Sequence, residues 1–237
     1  MSDLITAAEI LRRETGTGKF GPPVHWVYRP LDYAWRVHVA YQERFGIGSK
    51  RVVFIGMNPG PFGMVQTGIP FGEVAAVRDW LGLPDAVEIP ATQHPRRPIE
   101  GFGCRRSEVS GRRLWGLFAA RFGDAETFFK DHYVLNYCPL AFLSESGANI
   151  TPDHLPAVER EPLEAACDGH LRAVIKGLSP TWVIGIGGFA AERARRVVGE
   201  GGVPRVGQVL HPSPASPAAN RGWAEAATRQ LETLGVW

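Results

Sequence analysis

The sequence predicts an α/β fold, a mostly parallel four-stranded sheet covered by helices, on three observations. Four short runs rich in β-branched residues recur along the chain, they alternate with longer segments whose apolar residues fall at three- and four-residue spacing, and a distinctive loop follows each run. Strand–helix–strand units produce such alternation, because a parallel neighbour is reached only through a crossover that also covers the sheet. With 237 residues and 44% hydrophobic composition, residues 1–237 suffice for a single domain around one substantial core.

In chain order, helical spacing first predicts a helix over 3–14, and the first strand is RVVFI at 51–55. A helix over 74–81 follows, then a long connection rich in proline and arginine over 84–103, then a helix over 109–122. The second strand lies at 133–136 in HYVLNYC, followed by a helix over 156–176. TWVI at 181–184 is the third strand and VGQVL at 206–210 the fourth, with helices predicted over 189–198 and 218–234. No apolar h-region opens the sequence and no run approaches the roughly 18 apolar residues of a membrane span, so a cytoplasmic protein is expected.

Composition narrows the function classes. Cys104, Cys138 and Cys167 lie far apart without a C-x-x-C pair, which suggests neither a disulfide framework nor a zinc site, and three cysteines are too few for a four-cysteine cluster. No metal and no cofactor is expected. Net charge is only +2, but Arg96, Arg97, Arg105, Arg106, Arg112 and Arg113 crowd one stretch relieved by Glu100 and Glu108. Such a cluster reads equally as a nucleic-acid face or as a solvated basic surface.

Ligands of an open parallel sheet sit beyond the carboxyl ends of its strands, so the four loops there carry the functional signal. The first packs five glycines and three prolines into 56–72, interleaving Met57, Phe62, Met64 and Phe71 with Asn58 and Gln66. Stiff backbone, aromatic faces and amides together suit a planar heterocycle. The fourth puts His211 at the mouth of the sheet, with Pro212, Pro214 and Pro217 holding a segment whose Ser213 and Ser216 could meet a phosphate. The other six histidines, His25, His38, His94, His132, His154 and His170, read as structural or solvent-exposed. The third loop, GIGGFAAE, is a weak dinucleotide signal, because its last two glycines are adjacent and no acidic residue follows at ribose distance.

GMNPGPFGMVQTGIPFGEV and HPSPASPAANRGW resemble the two signature loops of the single-strand-selective monofunctional branch of the uracil-DNA glycosylase superfamily. YRPLDYAW, VRDWLG, SEVSGRRLWG, NYCPLAFL, SGANITP and AERARR are similar to that family too, so the resemblance runs from Val24 to the C-terminus. It implies a three-layer α/β/α sandwich. It also implies that Asn58 positions the attacking water, Phe71 stacks on the flipped base, Asn136 reads its edge and His211 supports the leaving base. Met57 and Gly60 would line the base pocket. Gly63 and the wedge segment Ser213, Pro214, Ala215, Ser216 and Pro217 would meet DNA. The family pattern has a basic residue and an Asn after HPSP where Ala215 and Ser216 stand, which bears on wedging into duplex DNA.

The implied partner is single- or double-stranded DNA containing uracil or a modified pyrimidine, acted on by a monomer that leaves an abasic site. The residues fit that chemistry on their own terms. An Asn amide accepts from uracil N3–H and donates to O4, which cytosine cannot match. Asn58 orients water without acting as a base, and no lysine stands in either loop to form a Schiff base. Gly60 and Gly63 are expected to leave room beside the base's 5-position, which favours 5-hydroxymethyluracil and admits deaminated purines as further candidates. Two readings of other classes compete: a damage sensor that binds DNA without cutting, and a nucleotide enzyme built on GIGG.

Overall fold

The computed structural model describes residues 3–237. In chain order its strands are β1 (Trp26–Tyr28), β2 (Val52–Gly56), β3 (His132–Asn136), β4 (Ala141–Leu143), β5 (Asn149–Ile150), β6 (Trp182–Ile186) and β7 (Arg205–Val209). The α-helices are α1 (Asp3–Gly16), α2 (Pro30–Tyr33), α3 (Trp35–Phe45), α4 (Met64–Thr67), α5 (Val109–Phe122), α6 (Ala125–Asp131), α7 (Ala157–Leu178), α8 (Gly188–Val198), α9 (Pro217–Asn220) and α10 (Trp223–Thr233).

The central sheet has the order β3-β2-β6-β7 and every pair is parallel. β2 and β3 are buried along their whole length, as strands covered on both faces must be. The pleat sends alternate residues to opposite layers. Phe54 meets Phe118 of α5 at 5.1 Å, while Gly185, beside Ile55 in register, lets the backbone of α8 approach at Ala191. Helices α5, α6 and α10 therefore fill one layer and α1, α7 and α8 the other, which makes the three-layer α/β/α sandwich.

Strand order also fixes where a ligand can enter. The chain leaves β2 toward β3 on one side and later returns past it to β6 on the other, so the loops after β2 and β6 diverge. A crevice must open between them at the carboxyl ends of the strands.

The four predicted strands and the helices over 3–14, 109–122, 156–176 and 189–198 match observed elements to within a few residues. Three features differ. The predicted helix over 218–234 is two helices, α9 and α10, broken at Gly222, whose φ of +125° no helix accommodates. The predicted helix over 74–81 centres on a wide π turn at Ala76–Trp80, closed by Leu81 N–H donating to the Ala76 carbonyl at 2.9 Å. Third, α2, α3, α4, α6 and the small antiparallel sheet β1-β4-β5 have no sequence counterpart. α3 buries His38 and Gln42 beside Val37, Tyr41 and Phe45, so polar residues interrupt its apolar stripe, and strands of two or three residues are too short to show alternation.

Candidate active site

A cleft of about 710 Å³ opens at the carboxyl ends of the parallel strands. Its floor starts at Gly56, which pairs in register with Asn136. A methyl group at Gly56 would overlap both Asn136 Oδ1 and the Phe71 ring, so glycine here lets an amide and an aromatic face share one pocket. The ladder between β2 and β3 runs on into the loops: Tyr137 N–H donates to the Gly56 carbonyl at 2.9 Å and Cys138 N–H to that of Met57 at 2.8 Å. Asn58 and Asn136 therefore stand on continuous hydrogen-bonded backbone. Asn136 is 7% exposed and its Nδ2 donates to Met64 Sδ at 3.3 Å, which leaves Oδ1 and one amide hydrogen for a ligand. Asn58 Nδ2 donates to the Leu140 carbonyl at 3.4 Å, leaving its Oδ1 as a free acceptor.

Phe71 has a left-handed backbone, with φ of +53°. Such a conformation costs about 1–3 kcal/mol in a non-glycine residue and persists only where neighbours over-determine it. They do. The Phe71 carbonyl accepts from Trp115 Nε1 at 3.0 Å and from Glu73 N–H at 2.7 Å, and it lies against Gly111, where any Cβ would collide with it. Across the cleft His211 faces Phe71 with ring centroids 6.2 Å apart. Its pKa is lowered from 6.5 by burial, so near neutral pH the ring is uncharged and offers one N–H and one lone pair.

An aromatic ring, a buried amide, a neutral imidazole and a second amide thus converge on one crevice. The Uracil DNA glycosylase superfamily model matches residues 44–232 of this chain. The chain belongs to the uracil-DNA glycosylase superfamily. It is 48% identical over 228 residues to the single-strand selective monofunctional uracil-DNA glycosylase of Rattus norvegicus, covering 95% of this chain and 82% of the relative. To the enzyme of the same name from Bos taurus it is 49% identical over 220 residues, covering 92% of this chain and 80% of that one. Similarity of this extent places it among the single-strand-selective monofunctional members. A crystal structure of wild-type SMUG2 from Pedobacter heparinus shares the fold, with a TM-score of 0.66, 19% identity and 97% of each chain covered.

In this glycosylase the sequence-predicted residues divide into two groups. Met57, Asn58, Gly60, Gly63, Phe71, Asn136, His211, Ser213 and Pro214 all line the cleft. Ala215, Ser216 and Pro217 do not. Their segment is engaged locally: Ala215 N–H donates to Ser213 Oγ at 3.1 Å, and Ser216 Oγ caps α9 by accepting from Ala219 N–H at 3.3 Å. The GIGG turn contributes Gly187 and Gly188, where the φ of +93° at Gly187 lets α8 begin beside His211, whose Cβ would lie 3.2 Å from any Cβ at 187.

Two further residues, which the sequence shows only as members of the basic stretch, shape the glycosylase site. Arg113 donates to the carbonyls of Pro212 at 3.0 Å and Ser213 at 3.4 Å and to Asn220 Oδ1 at 2.8 Å, and Asn220 Nδ2 returns a bond to the Pro214 carbonyl at 2.8 Å. That clamp holds the His211 loop from both sides. Glu108 occupies the space expected beside Gly60 and Gly63: a Cβ at Gly60 would come within 2.5 Å of its Oε2 and one at Gly63 within 2.9 Å of its Cγ. These glycines therefore admit a carboxylate rather than leave a void. Burial raises the Glu108 pKa, against hydrogen bonds from the backbone of Ser110 and Phe62. Its only sequence trace is the glycine pair that makes room for it.

Proposed function

We propose that the protein is a monofunctional DNA glycosylase that binds an extruded uracil in this cleft and hydrolyses its N-glycosyl bond, leaving an abasic site. The convergence of Asn58, Phe71, Asn136 and His211 on one crevice carries the reading. A base must leave the stack to be reached, at a cost of a few kcal/mol that single strands largely avoid. Phe71 stacks on the ring, and the buried Asn136 amide pairs with N3–H and O4. A wrong base leaves one of those groups unpaired, at about 1–3 kcal/mol.

Cleavage builds positive charge on the sugar and negative charge on the departing base. His211, kept neutral by its surroundings, donates its N–H to the base oxygen, and Asn58 Oδ1 accepts from water aimed at the sugar carbon. With no lysine in either loop, water is the nucleophile.

Finer substrate choice belongs to the same reading. 5-Hydroxymethyluracil is the expected second pyrimidine substrate, with Glu108 over Gly60 and Gly63 available to accept from its hydroxyl. Single strands are favoured over duplexes because the HPSP loop presents only small uncharged side chains. The test is base release from single- and double-stranded oligonucleotides carrying uracil, 5-hydroxymethyluracil, hypoxanthine and xanthine. Uracil should be released fastest from single strands, and Asn58→Ala should lower that rate at least about a hundredfold while DNA is still bound. Binding without release by the wild type would convert the reading to that of a damage sensor.

A further inference from the structure

The arginine-rich stretch is the sequence feature that the reaction leaves unexplained, and the structure sorts its six members. Arg113 is committed to the His211 loop, Arg112 donates to Ser107 Oγ at 3.4 Å, and Arg96 reaches the Ser146 carbonyl at 3.5 Å. Arg105 is exposed and lies outside the cleft. Arg106 is the one Lys or Arg among the described residues that line the cleft, and it makes no ion pair there. Its guanidinium lies 3.9 Å from the ring centroid of Phe62, on the same loop as Asn58. Arg97 sits 5.5 Å from the same centroid, fixed by Nε donating to the Gly147 carbonyl at 2.9 Å and Nη1 to that of Arg96 at 3.1 Å.

A guanidinium held close to an aromatic ring is fixed in place while its N–H donors stay available. Backbone carbonyls take up donors of Arg97 without cancelling its charge. Both guanidinium groups lie near Phe62, so an anion held by Arg106 also feels the charge of Arg97. Glu108 does not serve: its carboxylate is turned onto Gly60 and Gly63. On the opposite rim, Ser213 through Pro217 carry no charge.

We propose that Arg106, held against Phe62 with the charge of Arg97 nearby, forms a subsite for a backbone phosphate of the DNA strand flanking the extruded nucleotide. This rests on the glycosylase reading and adds to it that the strand is gripped from the Asn58 wall of the cleft rather than from the HPSP loop. A single planar fork at the rim suits a flexible strand, which can bring a phosphate to it without the geometry of a duplex.

Steady-state kinetics on a single-stranded uracil oligonucleotide at several salt concentrations test this. Arg106→Ala should raise KM roughly five- to tenfold near 0.1 M salt with kcat within about twofold, and reduce the log–log salt slope of binding by about 0.7, the signature of one lost single-strand phosphate contact. Arg112→Ala, outside the cleft, should leave both KM and slope unchanged. Replacing flanking phosphates one at a time by uncharged methylphosphonates should weaken the wild type at one position and leave Arg106→Ala insensitive there. A wild-type KM and slope in Arg106→Ala overturn the subsite, and so does a fall in kcat alone, which would make Arg106 a support for the Phe62 loop. Failure of the glycosylase reading looks different: the wild type would release no base, while the salt slope and methylphosphonate pattern could still be read from binding.

Discussion

The Asn58 loop and the His211 loop face each other across one cleft but are held by different means. The first is an extension of the sheet: backbone bonds from Tyr137 and Cys138 carry the ladder past Gly56, and glycines at 56 and 72 sit where side chains would collide. The second is held by side chains from distant elements, Arg113 of α5 on the Pro212 and Ser213 carbonyls and Trp223 Nε1 on the Leu210 carbonyl at 2.6 Å. A wall built into the ladder yields to steric change, whereas a clamped wall yields to loss of a donor.

Breaking the first wall should have the largest effect. Gly56→Ala pushes Asn136 and Phe71 apart, and displacement of about 1 Å at a reacting centre costs on the order of a hundredfold in rate. Single-turnover uracil release should fall by at least that much, and a near-normal rate would show that the floor can flex. Arg113→Ala should come next. It frees the His211 loop, and excision should fall about tenfold with a stability loss of roughly 1–2 kcal/mol. Arg113→Lys should not restore activity, because one ammonium cannot span the Pro212 carbonyl and Asn220 together. Recovery in the Lys variant would reduce the clamp to a charge.

Acid should also weaken the first wall through its foundations. His38 Nδ1 donates to the Gly68 carbonyl of the Asn58 loop, and burial lowers its pKa to about 4, as it does those of His132 and His170. These rings fold neutral while the unfolded chain binds protons from about pH 6.5 downward, so stability is full above 6.5 and is lost as pH falls toward 4. Urea midpoints measured from pH 8 to pH 4.5 should be flat and then decline, with a shallower decline in His38→Gln. The smallest effect belongs to the rim of the second wall. Ala215→Arg should improve duplex substrates by roughly threefold with little change on single strands, since it adds one exposed charge to an uncharged segment. Equal gains on both would mean simple attraction to DNA rather than wedging.

The same contrast explains what the sequence disclosed. Asn58 and Phe71 sit in a loop whose stiffness is written locally in glycine and proline, which makes that stretch legible, whereas Asn136, at the end of β3, is marked as a site residue only by the family resemblance. His211 was legible by its place after a strand, but Arg113 was not, because its partners lie 99 and 107 residues away and nothing in SGRRLWG distinguishes it from Arg112. In the sequence Glu108 belongs to the surface charge balance, yet the gap beside Gly60 and Gly63 that accepts it exists only once α5 docks. α3 has no periodic signature because His38 and Gln42 are buried and polar, a combination that hydrophobic periodicity ranks as surface.

Strand order also separates the two walls along the chain. β7 pairs only with β6, at the sheet's edge, and brings His211 with it, whereas Gly56 and Asn136 meet as soon as β2 and β3 do. Synthesised from its N-terminus, the chain completes Gly56, Asn58, Phe71 and Asn136 well before His211 and the rest of its clamp. Under the proposed function, the group assigned to the departing base is the last of the four to be added.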